Sequence, residues 1–280
     1  MASLPHVANG ERIGLIAGNG RFPILALEEA RRLGHQVVVI ALHEEASPEV
    51  EALAWRCHWI SLGELGKLIE ILKTEGVTEI MMAGQVKHAR IFSLIRADWR
   101  LAKLLASLPQ RNTDALIGGV AKVLADEGIT LADSTTLLKP MLAGEGVLTR
   151  RKPTKEERDA IDYGRRVAHA LAGFDIGQSV AIAERACVAV EAMEGTDAML
   201  RRAAGLANGR SLVLIKVSTR RKRLLFDVPV AGPETIAVMR ECGATALAVD
   251  AGRTLLLDRT EMLAKAESCG ISVTGYSPLD

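Results

Sequence analysis

The stretch Glu191-Ala-Met-Glu194-Gly195-Thr196-Asp197 places three carboxylates, a glycine and a hydroxyl within seven residues. Thr196 can cap a following helix, and Gly195 lets the main chain approach a ligand closely. Three acids would by themselves repel a phosphate. A divalent cation reverses that argument, because Mg²⁺ takes one or two carboxylates and leaves its other positions to water and phosphate oxygens. The simpler reading is that Glu194 and Asp197 only complement the helix dipole, at about 0.3–1 kcal/mol each. Spacing alone favours the simpler reading.

Two further stretches could carry chemistry. Gly18-Asn19-Gly20 follows an apolar run at 13–17 and precedes a helix opened by Pro23. Glycines there allow close backbone approach, and a helix start favours an anion, so a nucleotide or phosphate site stands beside a plain tight turn. The dinucleotide pattern G-x-G-x-x-G fails because Pro23 occupies its third glycine position. The other stretch runs from Lys216 through Arg220-Arg221-Lys222-Arg223 to Asp227, which sits between Phe226 and Val228. A carboxylate inside an apolar segment belongs either to a site at a strand end or to a structural hydrogen bond. The basic run reads as a solvated loop, or as a contact to phosphates or an anionic bilayer surface.

Gln85, Asp114 and Gln178 are polar residues at element ends and are candidates to line a substrate site; Asp114 also reads as a plain first-turn helix acid. The six histidines lack metal-ligand spacing, and neither G-x-S-x-G nor a Walker A sequence occurs. The four cysteines contain no C-x-x-C pair and read as reduced thiols of a cytoplasmic protein. Thirty-five basic against 34 acidic residues give a net charge of +1, so no global field would gather nucleic acid. Aromatics make up 3% of the chain, too few for a base-stacking platform, and no nucleic-acid partner is expected. The N-terminus has no apolar signal core, and no apolar run approaches the roughly 18 residues of a spanning helix.

Strand and helix signals alternate through the first half of the 280 residues. Val37-Val38-Val39-Ile40 is a β-branched strand, and Leu65, Leu68, Ile69 and Leu72 share one helix face. Such alternation builds a parallel βαβ sheet. The glycines, basic residues and Pro153 of 143–157 break the periodicity and mark a linker. The expected organisation is a Rossmann-like parallel-sheet domain over 1–142 and a mixed α/β domain over 158–280. In the latter, runs at 180–183 and 187–190 flank Glu184-Arg185 and predict a hairpin.

Taken in order, Ile13-Gly-Leu-Ile-Ala-Gly-Asn-Gly-Arg-Phe-Pro23, Asp175-Ile-Gly-Gln178, Glu191-Ala-Met-Glu-Gly-Thr-Asp197 and Phe226-Asp-Val-Pro229 with Gly232 and Thr235 form a set. That set resembles the LpxI-type UDP-2,3-diacylglucosamine pyrophosphatase family of lipid A biosynthesis, over nearly the whole chain. The resemblance implies a Mg²⁺-dependent hydrolase that cleaves a lipid-linked UDP-sugar to UMP and 2,3-diacylglucosamine 1-phosphate. It places Gly18, Asn19 and Gly20 on the N-domain ligand loop, and Glu194, Gly195, Thr196 and Asp197 near the phosphates. Asp227 matches the family's catalytically important aspartate.

On that basis Asp227, Thr196 and Lys216 are the expected catalytic residues. Asp227, Glu194 and Asp197 are the expected metal ligands. Thr196 and neighbouring N–H groups would hold phosphate, and Lys216 would neutralise a non-bridging oxygen. The same reading implies peripheral contact with the cytoplasmic face of the inner membrane, and a homodimer is the commonest prior. Where the family reads K-x-x-K-P-x-Q-D-x-R-F-D, this chain keeps Lys216, Phe226 and Asp227 but has Arg223 in place of the acid. That departure leaves a non-catalytic nucleotide-sugar or lipid-phosphate binding protein as the competing reading.

Overall fold

The structure, a computed structural model, describes residues 12–86, 97–108, 113–219 and 228–279. The chain folds into two units, with the boundary between Leu138 and Lys139.

The first unit is a five-stranded parallel sheet in the order β3-β2-β1-β4-β5. Its strands are β1 (Arg12–Ala17), β2 (Gln36–Leu42), β3 (Arg56–Ile60), β4 (Glu79–Ala83) and β5 (Thr130–Leu131). Helices α1 (Phe22–Arg32), α2 (Glu49–Leu53) and α3 (Leu65–Thr74) make the crossovers, and α4 (Trp99–Ser107) and α5 (Thr113–Asp126) follow. The β-branched run forms the almost wholly buried β2, since a strand covered on both faces needs apolar side chains throughout. The predicted apolar face of α3 is buried in full at Leu65, Leu68, Ile69 and Leu72. Gly14 lets β1 lie tight against its neighbour, because a Cβ there would come 2.9 Å from Ile80 Cγ1.

Strand order reverses between β1 and β4, which opens a crevice at the carboxyl ends of these strands. At the opposite edge Glu75 is buried and accepts hydrogen bonds from Arg56 and His58 at 3.1 and 2.9 Å. Arg12 and Arg56 both lie over the Trp55 ring. That end of the unit is a structural clamp.

The second unit is a mixed six-stranded sheet in the order β6-β13-β11-β9-β7-β8. It comprises β6 (Gly146–Val147), β7 (Ser179–Ala183), β8 (Ala186–Val190), β9 (Leu212–Lys216), β11 (Ala244–Asp250) and β13 (Ser272–Tyr276). A separate parallel pair joins β10 (Val230–Ala231) to β12 (Leu255–Leu256). β9, β11 and β13 run parallel, while β7 runs antiparallel to β9. β7 and β8 form the predicted hairpin, with Glu184 at φ 54° in its turn.

One face of this sheet is covered by α6 (Lys155–Gly173), which starts in a capping box of Thr154 and Glu157. Gly164 brings that helix close, since a Cβ there would come 2.6 Å from Ile215 Cγ1. A separate core cluster joins α7 (Thr196–Leu206), α8 (Pro233–Glu241) and α9 (Arg259–Ser268) to the sheet through Met199, Leu200, Ile236, Met239 and Met262. The segment 143–157, expected between the domains, belongs to the second unit: β6 pairs with β13, and Arg151 ties to Glu157 at 2.8 Å and to the Gly270 carbonyl at 2.6 Å.

Candidate functional site

Strand direction decides what meets in the second unit. Lys216 ends β9, and β7, running the other way, sets its first residue Ser179 opposite Lys216 in the register. β8 ends at Val190, so the chain re-emerges at the same edge and turns through 191–195 into α7. Gly195 makes that turn at φ +83°, a conformation an L side chain rarely adopts, and is the N-cap of α7. Gly177 allows the loop before β7 to pass Glu191, because a Cβ there would run into the Glu191 carbonyl.

Four side chains converge as a result. Lys216 Nζ donates to Thr196 Oγ1 at 2.7 Å and to Ser179 Oγ at 3.3 Å. The two hydroxyl oxygens lie 3.3 Å apart, and Thr196 Oγ1 donates to Glu191 Oε1 at 2.9 Å. Lys216 is only 8% exposed, so its charge is held by these oxygens rather than by bulk water. Glu191 Oε2 is buried and has no hydrogen-bond partner among the described residues.

A threonine hydroxyl has one proton and two lone pairs. Here the hydroxyl donates its hydrogen bond to Glu191 and accepts one from Lys216. What the arrangement does present is the remaining N–H of Lys216 together with the start of α7. The first intrahelical bond there is Met199 N–H to the Gly195 carbonyl, and no side chain caps the helix. The amides ahead of Met199 have no acceptor within the helix, which is the arrangement that suits an anion.

The neighbouring acids differ from one another. Glu194 receives Arg202 Nη2 at 2.5 Å on one oxygen and the Ala192 N–H at 3.0 Å on the other, and the Arg202 bond chiefly holds its carboxyl below the usual range. Its role in the structure is to close the 191–195 loop. Asp197 sits in the first turn of α7 half-buried, and burial pushes its carboxyl up; Arg201 and Lys216 oppose this, while Glu234 and Glu191 add to it. Among the described residues no three His, Cys, Asp or Glu side chains are grouped to hold a metal ion. Glu194 holds Arg202 and the Ala192 N–H on its two oxygens, and Arg201 and Lys216 favour the ionised form of Asp197. Asp227 lies outside the described residues.

In the first unit, Gly18, Asn19, Gly20 and Gln85 come together at the β1/β4 reversal. Asn19 and Gln85 bridge as a short antiparallel pair, with N–H to carbonyl distances of 2.8 and 3.0 Å, and Gly18 N–H donates to the Ala83 carbonyl at 2.8 Å. The glycines are needed because backbone packs on backbone: a Cβ at Gly18 would lie 2.8 Å from the Gln85 carbonyl oxygen, and one at Gly84 would lie 2.6 Å from that of Asn19. The backbone amides of Gly18 and Asn19 are therefore spent within the loop, while Asn19, Gly20 and Gln85 themselves stand exposed. Asp114 falls in the first turn of α5, with its side chain outside the described part. The backbone carbonyl of Gln178 accepts from Val217 N–H at 2.9 Å, holding the exit of β9.

The sequence pattern of the LpxI N-terminal domain matches residues 12–141, and that of the LpxI C-terminal domain matches 144–274. The chain belongs to the LpxI family. A relative from Caulobacter vibrioides, named UDP-2,3-diacylglucosamine pyrophosphatase LpxI, is 32% identical over 95% of this chain and 98% of its own length. Among solved structures, the biotin carboxylase domain of the Hydrogenobacter thermophilus 2-oxoglutarate carboxylase aligns at 13% identity and a TM-score of 0.27, over 72% of this chain and 43% of that one. N5-carboxyaminoimidazole synthetase from Staphylococcus aureus gives 11%, 0.29, 63% and 33% in the same terms. This chain spans less than half of either, and likeness at that level carries no functional argument.

For an LpxI chain, the polar residues that sequence reasoning misses are Ser179 and, in its hydrogen-bonding role, Glu191. Both are visible as residues, Ser179 next to Gln178 and Glu191 heading its motif. Only the antiparallel register of β7 with β9 sets Ser179 beside Lys216.

Proposed function

We propose that this chain hydrolyses the pyrophosphate of UDP-2,3-diacylglucosamine, giving UMP and 2,3-diacylglucosamine 1-phosphate. The observation that carries the reading is the buried Lys216 ammonium, aimed by Thr196 and Ser179 beside the uncapped start of α7. Pyrophosphate cleavage is slow in water because charge builds on the phosphoryl oxygens, so fixed N–H donors in a dry site are what a catalyst must supply. Lys216 offers a charged donor, and the α7 amides offer neutral ones. Glu191 accepts the Thr196 hydrogen bond and so leaves a hydroxyl lone pair facing Lys216.

Magnesium dependence belongs to the same reading through the family resemblance and Asp227. A bilayer-derived substrate with two acyl chains supports work at the cytoplasmic face of the inner membrane; among the described residues no helix is long and apolar enough to cross it. A homodimer rests on the general prior alone.

The test is incubation of the purified protein with UDP-2,3-diacylglucosamine and Mg²⁺, with UMP measured by chromatography. Release of UMP that stops on adding EDTA is the expected result. Tight binding without UMP would overturn the hydrolase reading, and hydrolysis in ¹⁸O-labelled water would show which phosphorus is attacked.

A further inference from the structure

His169 and Asp250 form a buried pair in the second unit that takes no part in the chemistry above. Their side chains are 3% and 1% exposed, and His169 Nε2 lies 3.2 Å from Asp250 Oδ1. The other oxygen, Asp250 Oδ2, accepts the N–H of Ser218 at 2.9 Å. With the carboxylate taking both bonds, the imidazole carries its proton on Nε2. His169 Nδ1 is then left buried with no hydrogen-bond partner among the described residues. A buried charge beside an unpaired ring nitrogen is an arrangement a purely apolar core would avoid.

Its position in the sheet gives the reason. Lys216 is the last residue of β9, paired in register with Val249, and Asp250 ends β11 one residue later. Beyond Lys216 the backbone ladder stops, yet the next two amides are held from opposite sides. Val217 N–H goes to the Gln178 carbonyl on the β7 side, and Ser218 N–H goes to Asp250 on the β11 side. Arg253 Nη1 then donates to the Thr219 carbonyl at 3.1 Å. The carboxylate takes the place of a strand carbonyl at the point where the β9–β11 ladder ends.

We infer that Asp250, oriented by His169, is a positioning residue for the reaction: it pins the exit of β9 and thereby fixes where the Lys216 ammonium meets Thr196. The inference rests on the reading of Lys216 given above. A donor displaced by an ångström from its place in the transition state loses rate while ground-state binding changes little.

Asp250→Ala should therefore lower kcat on the order of 10²-fold with little change in KM. Asp250→Asn should recover most of it, since its carbonyl can still accept from Ser218 while its NH₂ donates to Nε2 of the other imidazole tautomer. His169→Ala should lower kcat to a smaller extent, and His169→Gln, whose amide can donate to Asp250, should restore it. Circular dichroism and thermal melts establish which variants are folded, and if Asp250→Ala is not, the His169 pair decides by the same kcat and KM readout. A folded Asp250→Ala with wild-type kcat, or equal losses in the Ala and Asn variants, would overturn the inference. Lys216→Met is run in parallel. Loss of activity there with none in Asp250→Ala defeats only this inference, whereas unchanged activity in Lys216→Met defeats the site reading as well.

Discussion

The glycine loop of the first unit and the lysine cluster of the second occupy equivalent places, each at the carboxyl ends of parallel strands. They handle backbone groups differently. In the first, the amides of Gly18 and Asn19 are consumed by the loop after β4, which leaves the exposed Asn19, Gly20 and Gln85 and the start of α1, where the N-cap makes no side-chain hydrogen bond. In the second, the side chains saturate one another while the start of α7 and one ammonium proton stay open. Two glycine-marked turns of similar appearance in sequence thus differ: Gly18 and Gly84 make room for backbone to pack on backbone, whereas Gly195 turns the chain at positive φ into α7.

The sharpest way to break that comparison is Lys216→Met. Loss of a single aimed donor costs on the order of 10²–10³ in kcat, and UMP release by the variant should fall by that much while its thermal melt stays near wild type. Wild-type turnover would mean that the second unit presents no catalytic donor. Thr196→Val, which keeps the shape and removes the hydroxyl, frees both Lys216 and Glu191 and should cost on the order of 10-fold to 10²-fold in kcat.

The first unit should answer in stability instead. Gly18→Ala drives a Cβ into the Gln85 carbonyl, and overpacking of this kind costs about 1–3 kcal/mol; urea titration should show it. A stability unchanged within error would show the loop to be looser than its hydrogen bonds imply.

The smallest effects concern acid, and the two units again oppose each other. Burial works to raise Glu75, but hydrogen bonds from Arg56 and His58 outweigh it and hold the carboxyl low. Its stabilisation is present above the unfolded value of about 4.3 and is lost as pH falls through the lower folded value. Asp197 is raised by burial, so its ionised form penalises the fold; that penalty is absent below about 3.9 and complete above the raised folded value. Glu75→Gln should flatten the acid loss of stability, and Asp197→Asn should raise the neutral-pH melting temperature with no gain in acid. Melts of both variants from about pH 3 to about pH 8, from roughly one unit below these values to well above them, check the signs.

Much of this is legible in the sequence. Periodicity and turn chemistry point to the β-branched run of β2, the apolar face of α3 and the hairpin about Glu184-Arg185, and the structure has each of them. Thr196, Gly195 and Lys216 stand out by type. Their hydrogen bonds are not legible, nor is the commitment of Glu194 to Arg202, because partners 5 to 37 residues apart are set by how the chain turns and by the assembled sheet.

The sequence by itself determined the parallel first sheet, the mixed second one and the family, since periodicity, capping and ordered motifs are local properties of a chain. The tertiary structure alone decided that Thr196 donates its hydrogen bond to Glu191, that Ser179 stands beside Lys216 and that Asp250 holds the end of β9. Strand direction and register fix those meetings, and the residues involved lie on strands and loops that only the folded sheet brings within 3.5 Å, roughly the reach of a hydrogen bond.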